Sequence, residues 1–84
     1  MAMPMEPLER NILDRLAKAR EHRETNVDLT IIWRECGNVD PIEFAHAWGS
    51  LEAGELVHGE LYVIDAAVEG LGKITTKGEE ELKK

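Results

Sequence analysis

Residues 38–57 read N-V-D-P-I-E-F-A-H-A-W-G-S-L-E-A-G-E-L-V. Asp40 is a favoured helix N-cap and Pro41 suits the first helical position, where its missing N–H costs nothing. Phe44, Trp48 and Leu51 then recur at helical spacing and predict one buried face. Gly54 supplies the stop, and Leu56 and Val57 lead into extended chain. The opposite face of this helix carries Ile42, Glu43, Ala45, His46, Gly49, Ser50 and Ala53, and it holds no lysine or arginine.

Upstream, Gly37-Asn38-Val39 reads as a turn. A helix from Val27 to Cys36, capped by Thr25 or Asn26 and stopped at Gly37 in a left-handed conformation, precedes it. Leu29, Ile32 and Cys36 share one face, with Trp33 beside Leu29; Val27 and Ile31 fall outside that stripe. The polar segment R-E-H-R-E-T-N separates this helix from an earlier one that begins at Leu8. Leu8, Ile12, Leu13, Leu16 and Ala17 make its apolar stripe, and Glu6/Arg10 and Asp14/Lys18 pair acid to base four residues on. Residues 1–7 read as a short leader, with Pro4 and Pro7 discouraging helix before Leu8.

Downstream, Leu56 to Ile64 is rich in strand formers. D-A-A-V-E-G-L-G, residues 65–72, suits a loop or hairpin tip, and Lys73-Ile74-Thr75 a short returning strand. T-T-K-G-E-E-E-L-K-K closes the chain with a helical turn starting at Thr75 or Thr76, Leu82 packing back onto the core.

The 84 residues suffice for one domain with one modest core. Seventeen acidic residues against ten basic ones leave a net charge of −7, which repels phosphate and anionic lipid and favours basic or neutral partners. The single cysteine, Cys36, excludes an intramolecular disulfide. The N-terminal residues lack the basic and apolar regions of a signal peptide, and no apolar run is long enough to span a bilayer, so a cytoplasmic protein without membrane contact is expected.

No residue pattern predicts an enzyme, a cofactor or a metal. His22, His46 and His58 stand far apart, and no C-x₂-C, H-x₃-H or H-E-x-x-H spacing occurs. Cys36 falls at a helix C-terminus, where the dipole disfavours the thiolate, and reads as a small core residue. Gly70-Leu71-Gly72 is a turn signal rather than a phosphate loop.

Taken in order, V-D-P at 39–41, the spacing of Phe44, Trp48 and Leu51, the exit L-E-A-G-E-L-V at 51–57 and the closing I-T-T-K-G-E-E-E-L at 74–82 resemble the winged helix-turn-helix superfamily. The resemblance covers residues 8–82. It implies an α+β fold, namely three helices, a C-terminal β-hairpin wing and a short terminal helix within one domain over residues 8–84. DNA-binding members lay the outward face of the second motif helix, here Ile42, Glu43, Ala45, His46, Gly49, Ser50 and Ala53, into the major groove.

That face offers none of the arginine, lysine, asparagine or glutamine side chains that read guanine and adenine edges. Between Glu35 and Gly72 stand eight acids and no lysine or arginine. A DNA-binding surface typically neutralises about 6–10 phosphates, and this one neutralises none. The expectation is therefore a small acidic module acting in regulation through a protein partner or a homodimer, using the outward face of that helix. The Ala45, Gly49, Ala53 stripe would admit a close neighbour there, and the apolar wing tip Ala66-Ala67-Val68 with Leu71 would extend the contact. The alternative is a DNA-binding regulator whose phosphate contacts come from the flank, through Arg10, Arg15, Lys18, Arg20, Arg23, Arg34 and Lys73, or from a dimer. A third reading is an acidic decoy that occupies a nucleic-acid-binding surface of another protein.

Overall fold

A computed structural model describes residues 5–22 and 26–84. The elements follow the order α1 (Pro7–Glu21), β1 (Val27–Asp28), α2 (Leu29–Glu35), α3 (Pro41–Ala53), β2 (Val57–Ile64), β3 (Ala67–Ile74) and α4 (Thr76–Leu82). The described residues are thus α+β, with four helices and a three-stranded antiparallel sheet ordered β1-β3-β2.

Helix α1 starts at Pro7, one residue before the expected Leu8. Pro7 occupies the first turn, and the Glu9 side chain accepts from the Glu6 N–H at 3.3 Å. Met5, expected in a leader, packs against the core. Ile12, Leu13 and Leu16 form the buried stripe of α1. Of the two expected acid–base pairs, Asp14–Lys18 forms at 3.3 Å, whereas Arg10 donates to the Leu82 carbonyl at 3.4 Å and ties α1 to α4.

The start of the second helix differs from expectation. Val27 is not helical and does not face outward; it is buried in β1, opposite Gly72. The cap is Asp28, whose Oδ1 accepts from the Thr30 N–H at 2.9 Å. Asn26 lies exposed in a bend, and Thr25 lies outside the described residues. Thr30 Oγ1 donates to the Val68 carbonyl at 2.6 Å, a second tie between α2 and β3. The helix ends as its sequence indicates. Gly37 adopts φ 89, and the Gly37 and Asn38 N–H groups bond back to Arg34 O at 3.0 Å and Trp33 O at 3.2 Å, a Schellman closure.

Helix α3 follows its sequence closely. Asp40 accepts from the Ile42 N–H at 2.8 Å, Pro41 opens the helix, and Phe44, Ala47, Trp48 and Leu51 are buried. Its exit does not use glycine in the way the sequence suggests. Gly54 has φ −83, and the left-handed residue is Glu55, at φ 61. Glu55 N–H reaches Glu52 O and Leu56 N–H reaches Leu51 O, both at 2.9 Å, so the Schellman geometry fixes which residue must turn.

The expected loop at 65–72 is instead mostly strand. Asp65 and Ala66, at φ 51 and 59, make a two-residue turn of the kind that matches strand twist, and Ile64 pairs with Ala67 directly. Pairing then runs without a break to Val57 opposite Ile74. Gly59, Gly70 and Gly72 belong to the inner face of this ladder. A Cβ on Gly72 would drive into the Trp48 ring, and one on Gly70 into the Glu60 carbonyl. These glycines are places of close approach, not turn residues. Val68, expected at an exposed tip, is fully buried; Tyr62, Val63 and Ile64 are the exposed apolar residues next to the turn.

One core joins all layers: Ile12, Leu13 and Leu16 from α1, Leu29 and Ile32 from α2, the α3 face, and Val27, Val57, Val68 and Ile74 from the sheet. Thr75 caps α4 through its Oγ1, which accepts from the Gly78 N–H at 3.0 Å, and Gly78 is buried against Leu56. Leu82 packs against the core from α4, as its position implies.

Candidate interaction surface

The outward face of α3 is open. Ile42, Glu43, His46, Gly49, Ser50, Glu52 and Ala53 are exposed and Ala45 is half-buried, so the periodicity places every expected residue on that side of the helix. Ile42 is 54% exposed near the N-terminal end of α3. A Cβ built on Gly49 meets nothing within 4 Å. Apart from its two chain neighbours and its own helix backbone, nothing crowds this position, and the helix carries the cost of a glycine, about 1 kcal/mol relative to alanine.

The hairpin adds a second exposed surface. The outer face of β2 and β3 presents His58, Glu60, Tyr62 and Ile64 against Lys73, Leu71, Glu69 and Ala67 in register. Tyr62 Oη donates to the Glu60 carboxylate at 2.5 Å, and that acceptor raises the phenol above its ordinary pKa. Leu71 and Ile31 are each more than half exposed, and both line a cleft of about 510 Å³ bounded by α1, β1 and α2. Arg15, Lys18, His22, Asn26, Asp28 and Glu35 also border it.

The basic residues lie elsewhere, and most are engaged. Arg15 Nη1 stands 3.6 Å from Glu35, and its Nε donates to Asn11 Oδ1 at 3.1 Å. Lys18 pairs with Asp14, and Arg10 holds the Leu82 carbonyl. Arg20 reaches both Glu79, as an ion contact at 2.7 Å, and the Ile74 carbonyl at 3.3 Å. Arg34 is exposed on α2 and Lys73 on β3, and neither makes an ion pair among the described residues. Arg23 lies outside the described residues. The candidate phosphate contacts are thus spread over α1, α2 and β3, and α3 is not among the elements that carry them.

Cys36 is half-buried rather than fully buried, packed against the core at the end of α2. Desolvation raises its thiol pKa, with Arg15 opposing and Glu35 adding to the shift, so the thiol is held in its inert form. His22, His46 and His58 are all exposed and stand on α1's C-cap, α3 and β2 respectively. Among the described residues no group of three or more His, Cys, Asp or Glu side chains is placed to hold a metal, and no helix is long and apolar enough to cross a membrane.

Sequence reasoning missed one feature of this surface. The apolar run Leu61-Tyr62-Val63-Ile64 lies on an edge strand, and the strand-forming composition was its only local signal, since which strand forms the edge depends on the sheet order. In comparison with known proteins, the chain matches no family model, and no curated protein or solved structure matches it.

Proposed function

We propose that this chain is a winged helix-turn-helix module turned to protein binding, acting in regulation through the outward face of α3. Three helices followed by a hairpin and a closing helix, in the order their sequence features predict, support the winged-helix reading. The observation that carries the function is the charge of the exposed α3 face and hairpin. From Glu35 to Gly72 every charged side chain apart from histidine is acidic, and the α3 face adds Ile42 and an unfilled position at Gly49.

Such a face repels the phosphate backbone and complements a basic protein surface, since opposite potentials steer association. The flank-binding alternative loses force because Arg10, Arg15, Lys18 and Arg20 are already engaged with carboxylates or carbonyls. The acidic-decoy reading is one form of the same proposal, in which the basic partner surface is one that otherwise holds nucleic acid.

The test is a low-salt DNA shift assay and a partner-capture assay on one preparation, with Gly49→Arg alongside wild type. Wild-type protein that retards no duplex, and a partner that Gly49→Arg no longer holds, are the expected results. Retention of every partner by Gly49→Arg, with its fold intact by circular dichroism, would remove α3 from the proposal.

A further inference from the structure

We infer that the free edge of β2 is a self-association surface, on which a second copy of this chain adds its own β2 in antiparallel register. Among the described residues the sheet order leaves β2 hydrogen-bonded to β3 alone, and Trp48 of α3 lies against the inner face of the sheet at Gly72. Both ends of the ladder fix which backbone groups face outward. The two-residue turn closes on Ile64 and Ala67, and at the far end Thr75 N–H donates to Leu56 O at 3.0 Å. Even-numbered residues of β2 therefore exchange hydrogen bonds with β3, and odd-numbered ones, Leu61 and Val63 among them, turn N–H and C=O to the free edge.

Edges of this length are normally blunted by lysine, proline, a bulge or a covering element. Here β2 runs for eight residues without lysine, arginine or proline, and its register carries no bulge. Its last four residues are Leu61, Tyr62, Val63 and Ile64, of which Tyr62 is 51%, Val63 37% and Ile64 49% exposed. An open row of backbone donors and acceptors flanked by strand-forming apolar side chains is a template for another strand.

Self-complementarity points to a second copy. Two-fold axes at Glu60 and at Leu61 both pair seven residues of each β2 with every outward N–H meeting a C=O, and of the two only the Leu61 axis keeps Glu60 from facing its own copy. In that register Glu60 lies opposite the second copy's Tyr62, not opposite its Glu60. The phenol–carboxylate hydrogen bond seen within one chain can then be made between chains, and no like charges face each other directly. On the inner face Val63 comes opposite the second copy's Gly59, a large side chain against none. The rest of each copy is acidic, with a net charge of −7, so added salt should strengthen this contact by screening the repulsion between copies.

Sedimentation equilibrium of the full chain from micromolar to millimolar concentration, at low and high salt, tests the inference. A monomer–dimer equilibrium that tightens with salt is expected. Val63→Lys places a charge on the inner face where the second copy's strand would lie, and Val63→Pro removes one outward N–H while leaving the β2–β3 bonds intact. Each should weaken the dimer by about tenfold or more, while Gly49→Arg leaves it unchanged. A chain that stays monomeric throughout overturns the inference. So does a dimer that both folded Val63 variants retain, or one that Gly49→Arg disrupts, which would move the contact to α3.

Discussion

Replacing Gly72 with alanine places a methyl group where the Trp48 ring lies. Its Cβ would overlap Cη2, stand 2.8 Å from Cζ2 and 3.3 Å from Leu29 Cδ2. Trp48 is 3% exposed and Leu29 fully buried, so neither can swing aside into solvent. Overpacking of this kind costs about 1–3 kcal/mol. Gly72 is not among the residues with positive φ, so alanine also gains roughly 0.4–1 kcal/mol by restricting the unfolded chain. The net expectation is a loss of about 1–2 kcal/mol, against a total of about 4–13 kcal/mol for a chain of this length. The melting temperature should fall by roughly 5–15 °C. Urea unfolding followed by far-ultraviolet circular dichroism measures it, with an unchanged slope showing that the unfolded state is the same. The decisive arm repeats the change in a Trp48→Leu background. Among the described residues the Trp48 indole N–H has no hydrogen-bond partner, so shortening that side chain removes packing rather than a polar pair. There the alanine should cost nothing or stabilise slightly. Equal costs in both backgrounds would show that the ring contact is not the cause.

Glu55→Gly should raise stability by about 1 kcal/mol, because glycine occupies the left-handed C′ position without strain; a fall in the urea midpoint would mean that the 3.9 Å contact with Lys77 outweighs it. Gly49→Ala should also stabilise, by up to about 1 kcal/mol, since the added methyl touches nothing; a destabilised variant would show that the helix is bent or packed differently at this point. Cys36 should react with iodoacetamide along a pH profile whose midpoint lies above that of the urea-unfolded chain, and Arg15→Met should move it further up by removing the opposing charge. Because the folded thiol pKa is raised, its contribution to stability is complete below the unfolded value and disappears as pH rises through the folded one; a native midpoint at or below the unfolded one would contradict the burial.

The parts of the fold that were legible are those whose causes are local. Asp40, Pro41 and the spacing of Phe44, Trp48 and Leu51 act within one helix, and the structure keeps all of them. Thr75 and Gly78 sit three residues apart and make their bond within one turn. Features set by distant partners were not legible. Val27 and Asp28 become strand only because Gly72 and Leu71 stand opposite, more than forty residues later. Gly70 and Gly72 carry the local signature of a turn, yet their lack of side chains answers the Glu60 carbonyl and the Trp48 ring. The actual turn falls on Asp65 and Ala66, and alanine at φ 59 is a choice that composition does not announce. Moving the turn by a few residues reassigns every side chain downstream to one face or the other. That is why Val68 went from a presumed tip to the core while Leu71 remained exposed. The outward face of α3 was readable because helical periodicity alone determines it; the β2 edge was not, because strand order is a property of the whole sheet.

The same hairpin links the interior to both proposed surfaces. Glycines at 59, 70 and 72 strip the inner face of the ladder, so Trp48 lies flush against Gly72 and α3 sits close under the sheet. The outward face of α3 and the edge of β2 then stand on one packed cluster that includes Phe44, Trp48, Leu51 and Val57. Their physics differs in a way that salt separates. An acidic helix face that binds a basic protein weakens as ions screen it, and so does any contact of the flank arginines with phosphate. A backbone edge that joins two acidic copies does the opposite, because screening removes repulsion and leaves the hydrogen bonds. A salt series read together with Gly49→Arg and Val63→Lys therefore assigns each association to its surface. Salt gives the sign of the electrostatic term, and the variant gives the place where it acts.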